Sequence, residues 1–244
     1  MPYTLHDIAK MIDHSLLNPI FKAADMEQGI RLALDYDVAS VCILPYYLKR
    51  CAQLLRGSDV KASTTIGFPH GGHTTAIKVA EARQALADGG EELDMVVNIS
   101  AVLGGDWDYV RREIAAVIGP VHDAGQKVKV IFENAYLDDA QKIRLCEICG
   151  EVRADWVKTS TGYAPAGATR DDLRLMRLHS PAHVQVKAAG GVRDLDMALA
   201  VREVGATRFG CTRTAEILTE LRRRLATQQT PGVSTSVGGY GRKP

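Results

Sequence analysis

An excess of charge of one sign is absent from this sequence of 244 residues. Thirty Lys and Arg side chains stand against twenty-nine Asp and Glu, which leaves a formal net charge of +1. Such a balance gives no electrostatic reason to bind nucleic acid or an anionic membrane surface. Long apolar runs are absent too, since no stretch approaches the roughly 20 residues that a membrane-spanning helix needs. We therefore expect neither nucleic acid nor membrane as a partner.

Cysteine is scarce, and its count of five is odd. An odd number favours free thiols over a disulfide framework, as is typical of a reducing compartment. The first residues, 1–4, show no basic-then-apolar leader. Together these features lead us to expect a cytoplasmic protein. Cys146 and Cys149 have redox spacing, but they lie within a helical pattern, which favours two thiols on a helix face.

Two kinds of segment alternate along most of the chain. Short β-branched runs are typical of buried strands, and longer runs rich in Ala, Leu, Glu and Arg are typical of amphipathic helices. Strands are predicted at residues 11–14, 40–44, 61–67, 93–99, 127–133, 156–160, 184–188 and 207–210. Helices are predicted between them, at residues 76–87, 107–124, 140–149, 170–178 and 195–204. Eight strands separated by helices predict a TIM (β/α)₈ barrel, with the first strand the weakest of the eight.

A single domain fits both the length and the composition. Barrels of this kind typically run to roughly 250 residues, and the apolar share of 46% is enough for a substantial core. After residue 226 the sequence turns to Gln, Thr, Pro, Gly and Ser. We therefore predict a barrel domain over residues 1–226 and a flexible tail over 227–244, with no second domain.

Two lysines within apolar strands are the unusual chemical feature. Lys158 follows Trp156-Val157, and Lys187 follows Val184-Gln185-Val186. A lysine is rarely buried unless it is paired or functional. Because catalytic groups of TIM barrels lie at the carboxyl ends of the strands, both are candidates, as is Asp94 on another strand. The alternative is that both amines are structural and simply pair with acids.

The chemistry of such a lysine pair is specific. An amine attacks a carbonyl only when neutral, and a free lysine has a pKa near ~10.4. Burial and a second ammonium both lower that pKa, so Lys187 would activate Lys158 as a nucleophile. Asp94 would hold Lys187 charged and act as a general acid–base. This arrangement predicts an imine-forming enzyme.

Small residues end the last two predicted strands, in Gly190-Gly191-Val192-Arg193 and Gly210-Cys211-Thr212-Arg213. Backbone N–H groups at such ends can face an anion, helped by the N-terminus of the next helix. The loops after strands 7 and 8 are the frequent phosphate site of this fold. The sequence thus favours a phosphate site here, although glycine also serves in ordinary turns.

Seven ordered blocks of the sequence resemble the deoxyribose-phosphate aldolase family. They are spread over residues 11 to 213, nearly the whole predicted barrel. The blocks are IDHSLL (12–17), GFPHG (67–71), ELDMV (92–96), KVIFE (129–133), VKTSTG (157–162), KAAGGVR (187–193) and RFG (208–210). The resemblance implies a barrel that needs no metal or organic cofactor. It also implies reversible cleavage of 2-deoxyribose 5-phosphate to acetaldehyde and glyceraldehyde 3-phosphate.

The resemblance also implies roles for particular residues. Lys158 matches the Schiff-base lysine, Lys187 the lysine that lowers its pKa, and Asp94 the aspartate of the proton relay, which works through a water. The expected substrate-binding residues around the sugar and phosphate are Asp13, Leu17, Thr161, Gly162, Gly190, Gly191, Arg193, Gly210, Thr212 and Arg213. A homodimer is the expected assembly.

Two positions depart from the family pattern. Thr212-Arg213 stands where many members have two small hydroxyl residues, so Arg213 either adds a charged phosphate contact or points to solvent and leaves its backbone N–H. Asn134 stands where threonine is common. Two other functions remain open at this point: another Schiff-base lyase acting on a different sugar, and a phosphosugar-binding barrel without catalysis. A metal-dependent aldolase would need a cluster of His and acid ligands, which the sequence does not suggest.

Four further residues carry weaker hypotheses. His70 and His73 lie close together, but with no third ligand nearby they are better explained as loop residues. Cys42 ends a predicted strand and is a candidate for alkylation by unsaturated aldehydes. Tyr240 in the tail is a candidate for assisting proton transfer.

Overall fold

Eight parallel strands form the centre of the protein in residues 3–229, the part of the chain that the computed structural model describes. Numbered β1 to β8, they are Ile12–Leu16, Ser40–Ile43, Lys61–Ile66, Glu92–Val96, Lys127–Ile131, Trp156–Lys158, Gln185–Ala189 and Arg208–Cys211. Each strand pairs with the next, and β1 pairs with β8, so the sheet closes into a barrel. The predicted TIM barrel is confirmed.

Helices surround the barrel on its outside. Numbered α1 to α10, they are Leu5–Ala9, Ala23–Asp35, Leu48–Leu55, Thr75–Ala87, Ile99–Leu103, Trp107–Asp123, Asp139–Glu151, Arg170–His179, Leu195–Glu203 and Thr214–Gln229. Several begin at a residue whose side chain accepts a hydrogen bond from the first turn, such as Asp138, Thr169 and Asp194. The five predicted helices agree with the structure to within two residues at each end.

Strand ends differ slightly from the prediction. β1 is five residues long, Ile12–Leu16, and therefore not the weakest strand. The fourth strand was predicted to reach Ile99, but Ile99 is the first residue of α5. The amide side chain of Asn98 accepts a hydrogen bond from the N–H of Ala101, and this cap begins a helix where apolar residues alone suggested more strand.

The chain's last described helix, α10, extends to Gln229, three residues beyond the predicted domain limit at 226. The remainder of the predicted tail, including Tyr240, lies outside the described residues. Within residues 3–229, no helix is both long and apolar enough to cross a membrane.

The two faces of the strands differ in chemistry. Outward side chains such as Val41, Val130, Val157 and Val186 are fully buried against the helices and form the apolar core. Because side chains alternate along a strand, the residues between them point into the barrel. There the register sets Asp94 beside Lys129, Lys158 beside Lys187, and Lys187 beside Arg208. The barrel interior is thus unusually rich in charge.

Candidate active site

A cavity of about 700 Å³ opens at the carboxyl ends of the strands. Loops that follow β1, β6, β7 and β8 form its walls. Eleven of the thirteen predicted site residues line it, namely Asp13, Leu17, Lys158, Thr161, Gly162, Lys187, Gly190, Gly191, Arg193, Gly210 and Thr212. The structure therefore brings together residues that are up to 199 positions apart, from Asp13 to Thr212, around one volume.

Lys158 and Lys187 form the floor of this cavity. The amines of both donate to the same carboxylate oxygen, Oδ2 of Asp94, at 2.8 Å from Lys158 and 2.7 Å from Lys187. Asp94 does not line the cavity, because it lies beneath the two amines and is fully buried. The predicted trio is thus assembled, with the carboxylate below and the amines above it.

Lys158 is the amine that the surroundings leave least stable as a cation. Its burial lowers its pKa, the charge of Asp94 opposes this, and the charge of Lys187 adds to the lowering. The net result is a pKa below the usual lysine value. The direction agrees with the sequence argument, but burial, rather than the second ammonium, is the largest cause.

Lys187 and Asp94 are held in their charged forms. Burial disfavours the ammonium of Lys187, but the carboxylates of Asp13 and Asp94 outweigh burial and raise its pKa. Burial likewise opposes ionisation of Asp94, yet the charges of Lys129, Lys158 and Lys187 keep its pKa below the usual range. A neutral Lys158 beside a charged Lys187 is the state that imine chemistry requires.

A lower layer of charge supports this floor, and the sequence analysis did not identify it as part of the site. Lys129 donates to Asp94 at 2.8 Å and pairs with Glu92 at 2.7 Å. Arg208 pairs with Glu92 at 2.8 Å and with Asp13 at 2.6 Å. The signal was available: charged residues recur with the period of two that marks inward-facing strand positions, as in Glu92 and Asp94.

The cavity wall formed by the ends of β7 and β8 carries the features expected of an anion site. Gly190 and Gly191 follow β7, and Gly210 and Thr212 lie at the end of β8. Arg193 lines the same wall, and no carboxylate among the described residues pairs with it. Its guanidinium is therefore free to meet an incoming negative charge.

Arg213 does not line the cavity. Its side chain is more than half exposed and pairs with Glu216 at 3.0 Å. Of the two alternatives that the sequence left open, the structure shows the side chain directed to solvent. A contact with phosphate at this position would involve the backbone, as for a smaller residue.

The loop between β6 and α8 forms the roof beside the lysines. The carboxylate of Glu133 accepts hydrogen bonds from the backbone N–H and the hydroxyl of Thr161. Tyr163, which sequence reasoning did not single out, lines the cavity and donates its hydroxyl to the carbonyl of Leu17 at 2.6 Å. No local pattern could have indicated this contact, because it joins loops 146 residues apart.

The candidate cysteines and histidines do not belong to the group of charged residues at the floor of the cavity. Cys42 lines the cavity as a buried thiol, and burial raises its pKa. Cys146 and Cys149 are buried free thiols on α7, as their helical pattern predicted. His70 and His73 belong to no cluster of three or more potential metal ligands within residues 3–229.

Fold and cavity together define a single-domain TIM-barrel enzyme with buried amines at the carboxyl ends of its strands. Residues 8–213 match the model of a family described as DeoC/LacD family aldolase. A deoxyribose-phosphate aldolase of Rhodopirellula baltica is 65% identical over 98% of this chain and 99% of its own. One from Thermococcus gammatolerans is 46% identical, over 87% and 95%. This chain belongs to the DeoC/LacD family of aldolases.

A solved structure extends the similarity to three dimensions. The tetrameric deoxyribose phosphate aldolase of Aeropyrum pernix superposes with a TM-score of 0.83 and 31% identity. The match covers 90% of this chain and 92% of the other.

Proposed function

We propose that this protein is a class I aldolase that reversibly cleaves 2-deoxy-D-ribose 5-phosphate into acetaldehyde and D-glyceraldehyde 3-phosphate. One observation carries the proposal: the Lys158 amine lies at the floor of the cavity, buried, with a lowered pKa and 2.8 Å from Asp94. The names of the relatives and the family support the choice of substrate.

The reaction begins, in the direction of synthesis, with attack of the neutral Lys158 amine on the carbonyl carbon of acetaldehyde. Loss of water leaves a protonated imine, whose positive nitrogen draws electrons from the neighbouring carbon. Removal of a proton from that carbon gives an enamine. Its carbon then attacks the aldehyde of glyceraldehyde 3-phosphate, the new oxygen takes up a proton, and water releases the sugar phosphate from Lys158.

Proton transfer falls to Lys187 and Asp94. Lys187 lines the cavity as a charged donor, so it can approach the substrate oxygen. Asp94 lies below the cavity and can exchange protons through the two amines or through a water between them and the substrate. Its position 2.7 Å from Lys187 and 2.8 Å from Lys158 suits this relay.

Recognition of the substrate falls to the walls. Asp13, Leu17, Thr161 and Gly162 would surround the sugar. The phosphate would meet Arg193 and the backbone N–H groups around Gly190, Gly191, Gly210, Thr212 and Arg213. No cofactor is part of this scheme, since the imine nitrogen supplies the electron sink.

Assembly and compartment belong to the same proposal. We retain a homodimer, while the relative from Aeropyrum pernix is described as a tetramer. Sedimentation velocity of the full chain distinguishes the two. The five cysteines are free and buried, which suits a reducing cytoplasm.

Trapping the imine tests the function directly. The protein is incubated with acetaldehyde and a mild borohydride, and the modified peptide is mapped by mass spectrometry. We expect one reduced adduct, on Lys158, and none in Lys158→Leu. A separate sample with acetaldehyde but without borohydride, to which glyceraldehyde 3-phosphate is added, should then release deoxyribose phosphate and so identify the acceptor. Labelling scattered over surface lysines would refute the proposal and direct the search to ketose donors.

A further inference from the structure

An ion cluster occupies the barrel interior from the floor of the cavity towards the opposite end. It contains three carboxylates and four cations, all on inward-facing strand positions and all linked by contacts of 3.4 Å or less. Its members are Asp13, Glu92, Asp94, Lys129, Lys158, Lys187 and Arg208. Asp13, Lys158 and Lys187 line the substrate cavity. Glu92 and Arg208 also line a second cavity, at the opposite end.

The charges of this cluster do not balance when every member is ionised. Three carboxylates can neutralise only three cations, so one cation is in excess. A net charge buried in a protein interior is costly, and the cheapest relief is loss of one proton. Arg208 does not release its proton, and Lys129 and Lys187 each contact two or more carboxylates. Lys158 contacts one, which it shares.

We propose that Arg208, paired with Glu92 at the far end of the barrel, is a positioning residue for the reaction: by fixing the charge of the cluster, it leaves Lys158 as the unmatched cation that gives up its proton. The inference rests on the proposed function and extends it to a residue that does not touch the substrate cavity.

A continuous path of ion pairs connects the two ends. Arg208 contacts Oδ1 of Asp13 at 2.6 Å, and Oδ2 of Asp13 lies 2.5 Å from the amine of Lys187. Lys187 and Lys158 then share Oδ2 of Asp94. Removal of the Arg208 charge would free one carboxylate charge along this path. The nearest cation able to regain a proton in response is Lys158.

The groups that face the two ends of the path are few. Lys158 on β6 faces Asp94 on β4, Lys187 on β7 and the thiol of Cys42 on β2, which burial keeps protonated through a raised pKa. Arg208 on β8 faces Asp13, Glu92 and Lys129, and its guanidinium lies 5.2 Å from the ring of Trp156. Among the described residues, the titratable neighbours of Lys158 and Arg208 are therefore members of the cluster, apart from Cys42, which stays neutral.

Stability alone does not account for Arg208. A buried ion pair usually contributes little more than an apolar pair of similar size would. Arg208 nevertheless makes two contacts to Glu92, at 2.8 and 3.1 Å, in addition to the one to Asp13. Such fixed geometry suits a permanent charge whose value must not change with pH.

Opposite substitutions of the pair test the proposal. In Arg208→Gln the cluster balances with Lys158 protonated, so we expect the pH midpoint of imine formation with acetaldehyde to rise by about one unit or more. Glu92→Gln should move the midpoint in the other direction. The double variant, Glu92→Gln with Arg208→Gln, should return towards the wild type, and Arg208→Lys should keep the wild-type midpoint.

Lys127→Gln is the matched control. Lys127 lies over the same Trp156 ring, at 5.6 Å, and lines the same far cavity, but it pairs with Asp155 outside the cluster. Its loss should leave the midpoint unchanged. Equal shifts in the same direction for Arg208→Gln and Glu92→Gln, or no shift in either, would overturn the proposal. If Arg208→Gln does not fold, the proposal can still be tested with the other two variants: Glu92→Gln should lower the midpoint, and Arg208→Lys should leave it unchanged.

The experiments distinguish a failure of the proposed function from a failure of the proposed role of Arg208. Without a borohydride-trapped adduct on Lys158 in the wild-type protein, the proposed function is wrong. With that adduct present and the midpoints unmoved, the function stands and only the role of Arg208 is wrong.

Discussion

Among single residues, the lowered pKa of Lys158 reflects its burial and how few carboxylates its amine contacts. Its amine has one carboxylate partner, Asp94, and shares it with Lys187, whereas Lys129 contacts three carboxylates. Burial then removes the water that would stabilise its charge. Lys129 is thereby held in its charged form, whereas Lys158 is the amine that most easily loses its proton, as the proposed role of a nucleophile requires.

Arg193 offers a test at the same scale. Its side chain lines the cavity without a carboxylate partner in the described part of the chain. In Arg193→Gln we expect the KM for 2-deoxyribose 5-phosphate to rise about tenfold, because one charge-assisted contact of ~1.4 kcal/mol is lost. The kcat should change little, and steady-state kinetics measure both.

Two comparisons make this expectation specific to phosphate. Activity on unphosphorylated 2-deoxyribose should be unaffected by Arg193→Gln. Arg213→Gln removes a charge from the neighbouring loop, but that side chain pairs with Glu216 outside the cavity, so its KM should stay near the wild type. A larger effect from Arg213 than from Arg193 would show that the phosphate lies elsewhere.

At the scale of elements, the loop between β6 and α8 is fastened to the end of β7 through glycine. The N–H of Ala168 donates to the carbonyls of Ala189 and Gly190, at 3.0 and 2.9 Å. Gly190 has a φ of +74°, and a Cβ there would lie 2.9 Å from Cα of Gly167. The roof of the cavity therefore approaches β7 more closely than any side chain would permit.

Alanine substitutions at Gly190 and Gly191 distinguish the effect of backbone strain from the effect of a steric clash. Gly191 has a φ of +91° but open space around it, so Gly191→Ala should cost only about 1–2 kcal/mol of backbone strain. Gly190→Ala adds the clash with Gly167 and should displace the roof. We expect a higher KM for the phosphorylated substrate in Gly190→Ala than in Gly191→Ala, as kinetics and urea unfolding would show. Equal values of KM would mean that the roof does not depend on this contact.

At the scale of the whole molecule, a barrel filled with charge is held together by the apolar layer outside it. Strand residues such as Val130, Val157 and Val186 are fully buried against the helices. One contact between β1 and α10 is polar: the ring of His14 hydrogen-bonds to Thr214 at 2.8 Å. This contact makes the stability of the fold sensitive to acid.

The sign of that sensitivity follows from the environment of His14. Burial lowers its pKa to about 4, although the charge of Glu216 opposes the shift. In the unfolded chain a histidine has a pKa of ~6.5, so the unfolded state binds the proton more readily. The contribution of His14 is therefore complete above about pH 6.5 and is lost as the pH falls towards 4, by up to about 3 kcal/mol.

Urea unfolding between pH 7.5 and 4.5 measures this contribution. His14→Asn keeps a hydrogen-bonding group near Thr214 but cannot titrate, so its unfolding free energy should fall less with acid than that of the wild type. His183→Asn, at an exposed histidine, should behave as the wild type does. Identical pH dependence in His14→Asn and wild type would show that other groups govern acid unfolding.

The sequence by itself determined the barrel and the two lysines proposed for the reaction. Alternation with a period of two is a local property, so it indicated eight strands and put Lys158 and Lys187 at their ends. The glycines at the ends of the last two strands were an equally local signal for the phosphate site, because a backbone that approaches an anion closely has no room for a side chain. Residues whose position depends only on the local pattern of one strand were thus predictable.

Only the tertiary structure decided which charges meet. Arg208 reaches Asp13 across 195 residues, and Tyr163 reaches Leu17 across 146. Such contacts depend on the closure and stagger of the barrel, which no short segment encodes. The ion cluster that includes Lys158 is therefore apparent only when the strands lie side by side, because its balance of charge depends on all seven side chains together.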